Sequence, residues 1–340
     1  MFLNLCLARY GLSDDSLLCL DAKPGTLKAG QADGLQPRTL EVLKSLGVVD
    51  EILNEGCHMS EVAFWNAAQA HQGTNGTTGV KSGISRTSLV PDVTAAARYK
   101  HEVTIHQGRI ERILEENLRL YSKRAVLRSH HFINFEIDAE RNPEYPVLVE
   151  VEEHSSDGER KRKTIRTKHL VGADGAHSQV RRAMGLKLEG ETTDHIWGVV
   201  DFVAETDFPD IHRRCAIHSD AGSVMIIPRE RISTDHYLTR LYVQVKEDEV
   251  PTFTEPELER VLSSAKSREK RAAITLESIF AQAESVLYPY KINVKDGTVV
   301  DWWAAYQIGQ RMAPSFSHKD DAGIERVFIV GDGKHDLICP

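Results

Sequence analysis

Leu17-Leu18-Cys19-Leu20-Asp21 is a short continuous apolar run that ends in an acid. Such a run suits a buried parallel strand rather than a half-exposed one, whose pattern would alternate. Before it, Leu3 and Leu7 stand four residues apart on one helical face, and Gly11 follows Tyr10 as a C-terminal cap. A helix, a buried strand and an acid at the strand's tip form the back half of a dinucleotide-binding βαβ unit, where the acid hydrogen-bonds a ribose hydroxyl. In that unit a strand and a GxGxxG turn stand about 20 residues before the acid. Here that distance reaches back to Met1, and no such glycine loop is read. An Asp after a strand is also a common turn former, so Asp21 needs support from elsewhere in the chain.

Outward from this strand the elements alternate. Residues 28–36 form a polar, glycine-punctuated loop, and Pro37 opens a helix at a position where proline is favoured. Leu40, Leu43 and Leu46 give that helix an apolar face, and Gly47 stops it. Residues 66–88 read as a surface segment. Residues 102–106 alternate as a strand, and Gln107-Gly108 leads into a helix lined by Ile110, Ile113, Leu114 and Tyr121. Strands are expected near 131–138 and 146–153. Ser155-Ser156-Asp157-Gly158 then makes a hairpin tip, with the basic run Arg160–Lys163 as part of its solvated end. Residues 168–175, KHLVGADG, read as a strand entering an acid–glycine turn, followed by a helix through Val180, Arg181, Arg182 and Met184. From about 195 strands dominate, at 196–204, 214–218, 223–228 and 237–246, with a charged helical region at 255–285 and a strand near 298–308. This predicts a mostly antiparallel second domain. RVFIVGD, 326–332, repeats the texture of the first strand and is expected to return to the first sheet.

Composition sets the bounds. The chain has 340 residues, 41% apolar and 27% charged, enough for two domains and inconsistent with wholesale disorder. A net charge of −8 argues against generic nucleic-acid binding, which needs a basic surface. The five cysteines lack CxxC spacing, which fits a reducing compartment without structural disulfides. No apolar stretch approaches the roughly 20 residues needed to span a bilayer, so a cytoplasmic protein is expected. His106, His177, His195 and His218 lack ligand spacing, and no metal is expected.

Three strand ends carry an acid, Asp21, Asp174 and Asp332. Ligands of open α/β sheets bind beyond the carboxyl ends of the strands, and a large dinucleotide needs several such contacts. The wording of many segments is more specific. AGQADGLQPRTLEVLKSLG, HEVTIHQGRIE, LVGADGAHSQVRR, SVMIIPRE, DWWAAYQIGQR and RVFIVGD resemble the FAD-dependent aromatic hydroxylases, specifically the fungal phenol 2-monooxygenase branch, over about residues 5–332.

That resemblance implies an α/β plus α+β architecture. A Rossmann-like FAD-binding domain, incomplete at both ends, would comprise 1–58, 100–195 and 322–340. An inserted, mostly antiparallel substrate domain would comprise 59–99 and 196–321. It also implies roles. Asp33 aligns with the acid that takes the phenolic proton, Arg229 with an arginine beside flavin and substrate, and Tyr242 with a tyrosine contacting the substrate oxygen. Asp21 would hold the adenosine ribose, and Gln31, Gly34 and Gln36 the flavin loop. Gln107 would serve the ribityl–pyrophosphate region and Asp332 the ribityl chain. Asp174 and Gly175 would form the turn that contacts cofactor and supports reductant binding.

The implied reaction is ortho-hydroxylation of phenol or a simple phenol by a flavin hydroperoxide, with NADPH as reductant and molecular oxygen as co-substrate. Free phenols ionise near pH ~10, so a general base and a nearby cation would be needed to supply phenolate at neutral pH. Partners would be small molecules, with no nucleic acid or membrane, and a homodimer in the full-length enzyme. A hydroxybenzoate substrate is the alternative, and a catalytically impaired fragment is a third reading. The segment between Arg229 and Tyr242 is a few residues longer than the branch's usual form.

Overall fold

The computed structural model describes residues 1–12, 14–28, 34–68, 83–245, 274–333 and 335–337. Asp33 and Gln31 lie outside the described residues, as does most of the charged region at 255–285. The chain forms two compact units. One comprises Met1–Thr26, Leu114–Asp194 and Ile308–Cys339, the other Leu27–Ile113 and His195–Gln307. Residues 27–58 and 100–113, assigned above to the cofactor domain, cluster in the second unit.

In the first unit the helix Phe2–Arg9 precedes a short strand, Cys19–Leu20, which pairs parallel with Val126–Leu127. The helix buries Leu5 and Ala8, whereas Leu3 stays exposed. This corrects the expected Leu3/Leu7 face. FLNLCLA is apolar on more than one side, so contact with Leu118, Ala125 and Val126 selects the face. The late strand Glu325–Ile329 pairs parallel with Leu170–Gly172, not with Cys19–Leu20. Leu20 instead packs against the cluster that holds Val327 and Ile329, so the two strands share a core rather than a ladder. Strands His130–Ile137, Val147–His154 and Arg160–Thr167 form an antiparallel sheet. The basic run is therefore a strand and not a hairpin tip: Lys163 reaches Glu153 at 2.5 Å, and Arg162 reaches Glu152 at 3.6 Å. Cross-strand carboxylates supply what the turn reading overlooked. The turn itself is Ser155–Glu159, with Gly158 at φ +83°.

The second unit is built on a mostly antiparallel sheet. Its strands run in the order Glu189–Thr206, His236–Val245, Gly222–Ser233, Arg214–Ser219, Glu61–Ala67 and Ile84–Pro91. Only the pairing of Arg214–Ser219 with Glu61–Ala67 is parallel within this series. Alternation divides the sheet into two faces. Val200, Phe202, Leu241, Val243, Val224 and Ile226 pack with Ile279, Ala283, Val286 and Leu287 of the helix Leu276–Leu287. Thr275 caps that helix reciprocally with Ser278. The other face carries Val199, Asp201, Arg240, Tyr242 and Ile227, and register places Asp201 opposite Arg240 and Tyr242 opposite Val199.

Helix and sheet meet closely at Gly198, where an added Cβ would lie 2.6 Å from Ile279 Cγ1. Gly198→Ala is expected to destabilise the chain by about 1–3 kcal/mol, as overpacking does. A lowered midpoint of chemical denaturation with an unchanged slope checks this. The described cysteines, Cys6, Cys19, Cys57 and Cys215, are free thiols. Burial pushes the Cys215 thiol up to about 12, which marks it as a core residue.

Candidate active site

In the second unit one segment holds the described residues on either side of the GQADG stretch. At its C-terminal end Gly34 pairs with Thr104, and Cys57 pairs with Thr104 from the other side. At its N-terminal end Leu27 lies against the start of the helix Gln107–Leu118, and its N–H donates to Glu111 Oε2 at 3.2 Å. Gly108 is required there, because a Cβ would stand 2.0 Å from the Leu27 carbonyl oxygen. Glycine lets backbones approach to a distance no side chain permits. Gln36 caps the next helix, Pro37–Ser45, from an extended conformation, with proline at the first turn as expected. The structure thus gathers Gly34, Gln36 and Gln107 around the ends of the loop that carries Asp33. Gly108→Ala is expected to push Leu27 off the helix start. A rise in proteolytic cleavage within residues 27–36, with the rest of the chain protected, checks this.

Thr104 links this loop to the next expected residue. Its hydroxyl donates to the Pro228 carbonyl at 2.7 Å, in a buried position beside Arg229. Arg229 is 1% exposed. Its Nη1 donates to Asp201 Oδ2 at 3.1 Å, and its Nε and Nη2 grip Glu230 at 2.9 and 3.0 Å. Arg240, fully buried, binds the same Asp201 through Nε at 2.7 Å and Nη2 at 2.6 Å. Its guanidinium carbon lies 5.4 Å from the Trp302 ring and 6.0 Å from the Tyr242 ring. Arg229 and Tyr242 are therefore connected through Asp201 and Arg240, which sequence reasoning missed. The signal was present, since Asp201 is a lone charge inside the apolar run Val199–Val203.

A cavity of about 340 Å³ borders Arg229 and is lined also by Cys57, His212, Pro228, Tyr237, Leu238 and Thr239. Burial pushes the Cys57 thiol up, and the Glu230 charge adds to that. Tyr237 belongs to the extension between Arg229 and Tyr242; its ring stands over Arg231 and edge-on to His212. That long connection is a continuation of the two strands, with register shifts after Pro228 and Arg231.

In the first unit Asp21 sits at the carboxyl end of its strand. Its Oδ2 accepts from Arg128 Nη1 at 2.9 Å, and its Oδ1 from the Lys23 N–H at 2.9 Å. Arg128 also donates to Glu115 at 2.6 Å. Burial works against the charge of Glu115, but bonds from Arg119 and Arg128 outweigh it and hold the carboxyl below its usual range. Asp174 accepts from the Ser178 hydroxyl and from the N–H groups of Gln179 and Val180, at 2.7 and 3.1 Å for the latter two. Its carboxylate thereby caps the helix Gln179–Ala183, a role the sequence reading had not given it. Gly175 turns the chain at φ +80°. Asp332 lies in the tight turn Gly331–Gly333 after the strand Glu325–Ile329. Buried Arg181 joins these two turns, donating to the Ala176 carbonyl at 2.7 Å and the Gly333 carbonyl at 2.9 Å.

Comparison with known proteins gives these features a context. The chain is 36% identical over 338 residues to the flavin-dependent oxygenase ucdD of Aspergillus ustus, covering 98% of this chain and 48% of that protein. It is 34% identical to 3-hydroxybenzoate 4-monooxygenase of Comamonas testosteroni, covering 96% and 48% respectively. It is also 34% identical to phenol 2-monooxygenase fsqG of Aspergillus fumigatus, covering 93% and 45%. The chain thus spans about half the length of the curated relatives it matches. Among solved structures, p-nitrophenol 4-monooxygenase PnpA of Pseudomonas putida superposes with a TM-score of 0.63 at 18% identity, over 97% of this chain and 69% of that one, a likeness of fold. The family model described as FAD binding domain matches residues 1–338, and the chain belongs to that family.

Proposed function

We propose that the chain is the FAD-bearing and substrate-binding part of an aromatic monooxygenase that hydroxylates phenol or a simple phenol at the ortho position, with NADPH as reductant. The observation that carries this reading is the buried Arg229–Asp201–Arg240 cluster beside a largely apolar cavity. An aromatic ring fits such a cavity, and guanidinium groups beside it favour oxygen over carbon at the ring's polar edge. The 34% identity to a phenol 2-monooxygenase supports the same substrate class.

The donor set fits FAD. Asp21 stands at a strand tip, the place of a ribose-binding acid, with one oxygen on Arg128 and the other on the Lys23 N–H. Asp332 follows a parallel strand in a glycine turn with Gly331 at φ +62°, where backbone can approach a ligand closely. On this reading Asp21, Asp174, Gly175, Asp332, Gln31, Gly34, Gln36 and Gln107 are the cofactor-binding residues. Bound FAD would supply the electron transfer and oxygen activation. The chain's own residues do the rest: Asp33 accepts the phenolic proton, Tyr242 orients the oxygen, and Arg229 holds it.

The test is to load the chain with FAD and follow NADPH oxidation with phenol and the appearance of catechol. Catechol formed in step with NADPH consumption supports the reading. Flavin-replete protein inert to a panel of phenols would overturn it. Turnover of hydroxybenzoates alone would select the alternative substrate.

A further inference from the structure

Asp201 and Arg240 face each other across antiparallel strands, and both are buried. Arg240 takes both oxygens of Asp201, and Arg229 shares one of them. Glu230 completes the shell of Arg229. The formal charge of these four groups is zero. Two guanidinium groups are matched by two carboxylates before any ligand arrives. Among the described residues around the cluster, Tyr242 and Trp302 lie against Arg240, the Thr104 hydroxyl is bound to Pro228, and the Cys57 thiol is pushed up by burial; the adjoining cavity is also lined by His212 and by Tyr237, whose ring meets Arg231. Asp301, whose N–H donates to the Asp201 carbonyl, is exposed.

We propose that Asp201 is a positioning residue of this site: by binding Arg229 and Arg240 together it fixes the direction of Arg229 and cancels one buried positive charge, so that the adjoining cavity receives a phenol in its neutral form and without a ring carboxylate. This rests on the hydroxylase reading above. An incoming anion would meet no uncompensated cation in the cluster, whereas a neutral hydroxyl carries a smaller desolvation cost. Removing the Asp201 charge leaves a net positive cluster where interior charges act strongly, which favours the anion. The ring's deprotonation then belongs to the base and not to binding.

The experiment uses the FAD-loaded chain and 4-nitrophenol, whose phenolate absorbs in the visible. The pH midpoint for ionisation of the bound probe is measured by difference absorbance. In D201N the midpoint is expected to fall by about 1 pH unit or more, with phenolate bound about tenfold more tightly. Phenol turnover is expected to fall in kcat rather than rise in KM, because Arg229 loses its direction. R240Q removes a positive charge and is expected to move the midpoint upward. The double variant D201N/R240Q removes a neutral pair and is expected to return it toward the wild-type value. A merely structural role predicts no such opposed shifts. Wild-type protein that binds the probe, with D201N and R240Q midpoints unchanged, overturns this inference alone. Wild-type protein that binds FAD but no phenol overturns the hydroxylase reading and the inference with it. Where D201N does not fold, the sign of the R240Q shift decides.

Discussion

Arg240→Ala is expected to lower the free energy of unfolding by about 3–5 kcal/mol, the range for breaking a buried ion pair by removing one partner. Arg240 is fully buried and donates to both oxygens of Asp201. Truncation leaves the Asp201 carboxylate with Arg229 as its remaining guanidinium, in a place that water does not reach. It also removes the guanidinium packed over the Trp302 and Tyr242 rings, which cost desolvation to order and are then left without their cation. Replacing Asp201 and Arg240 together by apolar residues of similar volume is expected to cost less than the single change, since no buried charge is then stranded. Denaturant midpoints of the single and paired variants measure this directly. Equal losses in both would show that the cluster is packing rather than charge.

The contrast between what the chain announced and what it concealed follows from how each feature is encoded. Pro37 at the first turn of its helix and Gly47 at φ +75° beyond the end are local devices, and they are legible in order along the chain. The parallel strand ending in Asp21 and the Gly–Asp end of Glu325–Ile329 are local too. Their pairing partners are not, and the late strand joins Leu170–Gly172 instead of the first strand. Register is set by non-local contacts, and a shift of one residue would turn Asp201 and Arg240 to the opposite face. So the cross-strand pair that links Arg229 to Tyr242 could not be read, although a lone acid among Val199, Val200, Phe202 and Val203 was its trace. The basic strand Arg160–Thr167 shows the same limit: its glutamate partners lie on another strand. Asp174 shows a different one. Its acid–glycine turn was legible as a turn, but the bonds to Ser178, Gln179 and Val180 that make it a helix cap depend on how the next turn folds back.

The same dependence makes Arg181 the decisive residue of the first unit. Its guanidinium is buried and spans two turns that are about 150 residues apart in the chain, reaching the carbonyls of Ala176 and Gly333. Those turns carry Asp174, Gly175 and Asp332, the acids and glycine assigned here to the cofactor. Arg181→Ala is expected to cost about 2–4 kcal/mol, because two charge-assisted bonds are lost and the buried Gly333 carbonyl and the half-buried Ala176 carbonyl lose this donor. Arg181→Lys is expected to recover only part of this, since a single ammonium lacks the planar fork that serves two acceptors at once. Because the bridge between the two turns is then lost, FAD affinity is expected to fall at least tenfold in Arg181→Ala, measured by quenching of flavin fluorescence under conditions where the variant remains folded. A variant that loses stability but keeps wild-type FAD affinity would show that the two turns are scaffold. The cofactor role of Asp174, Gly175 and Asp332 would then have to be withdrawn while that of Asp21, held separately by Arg128, would stand.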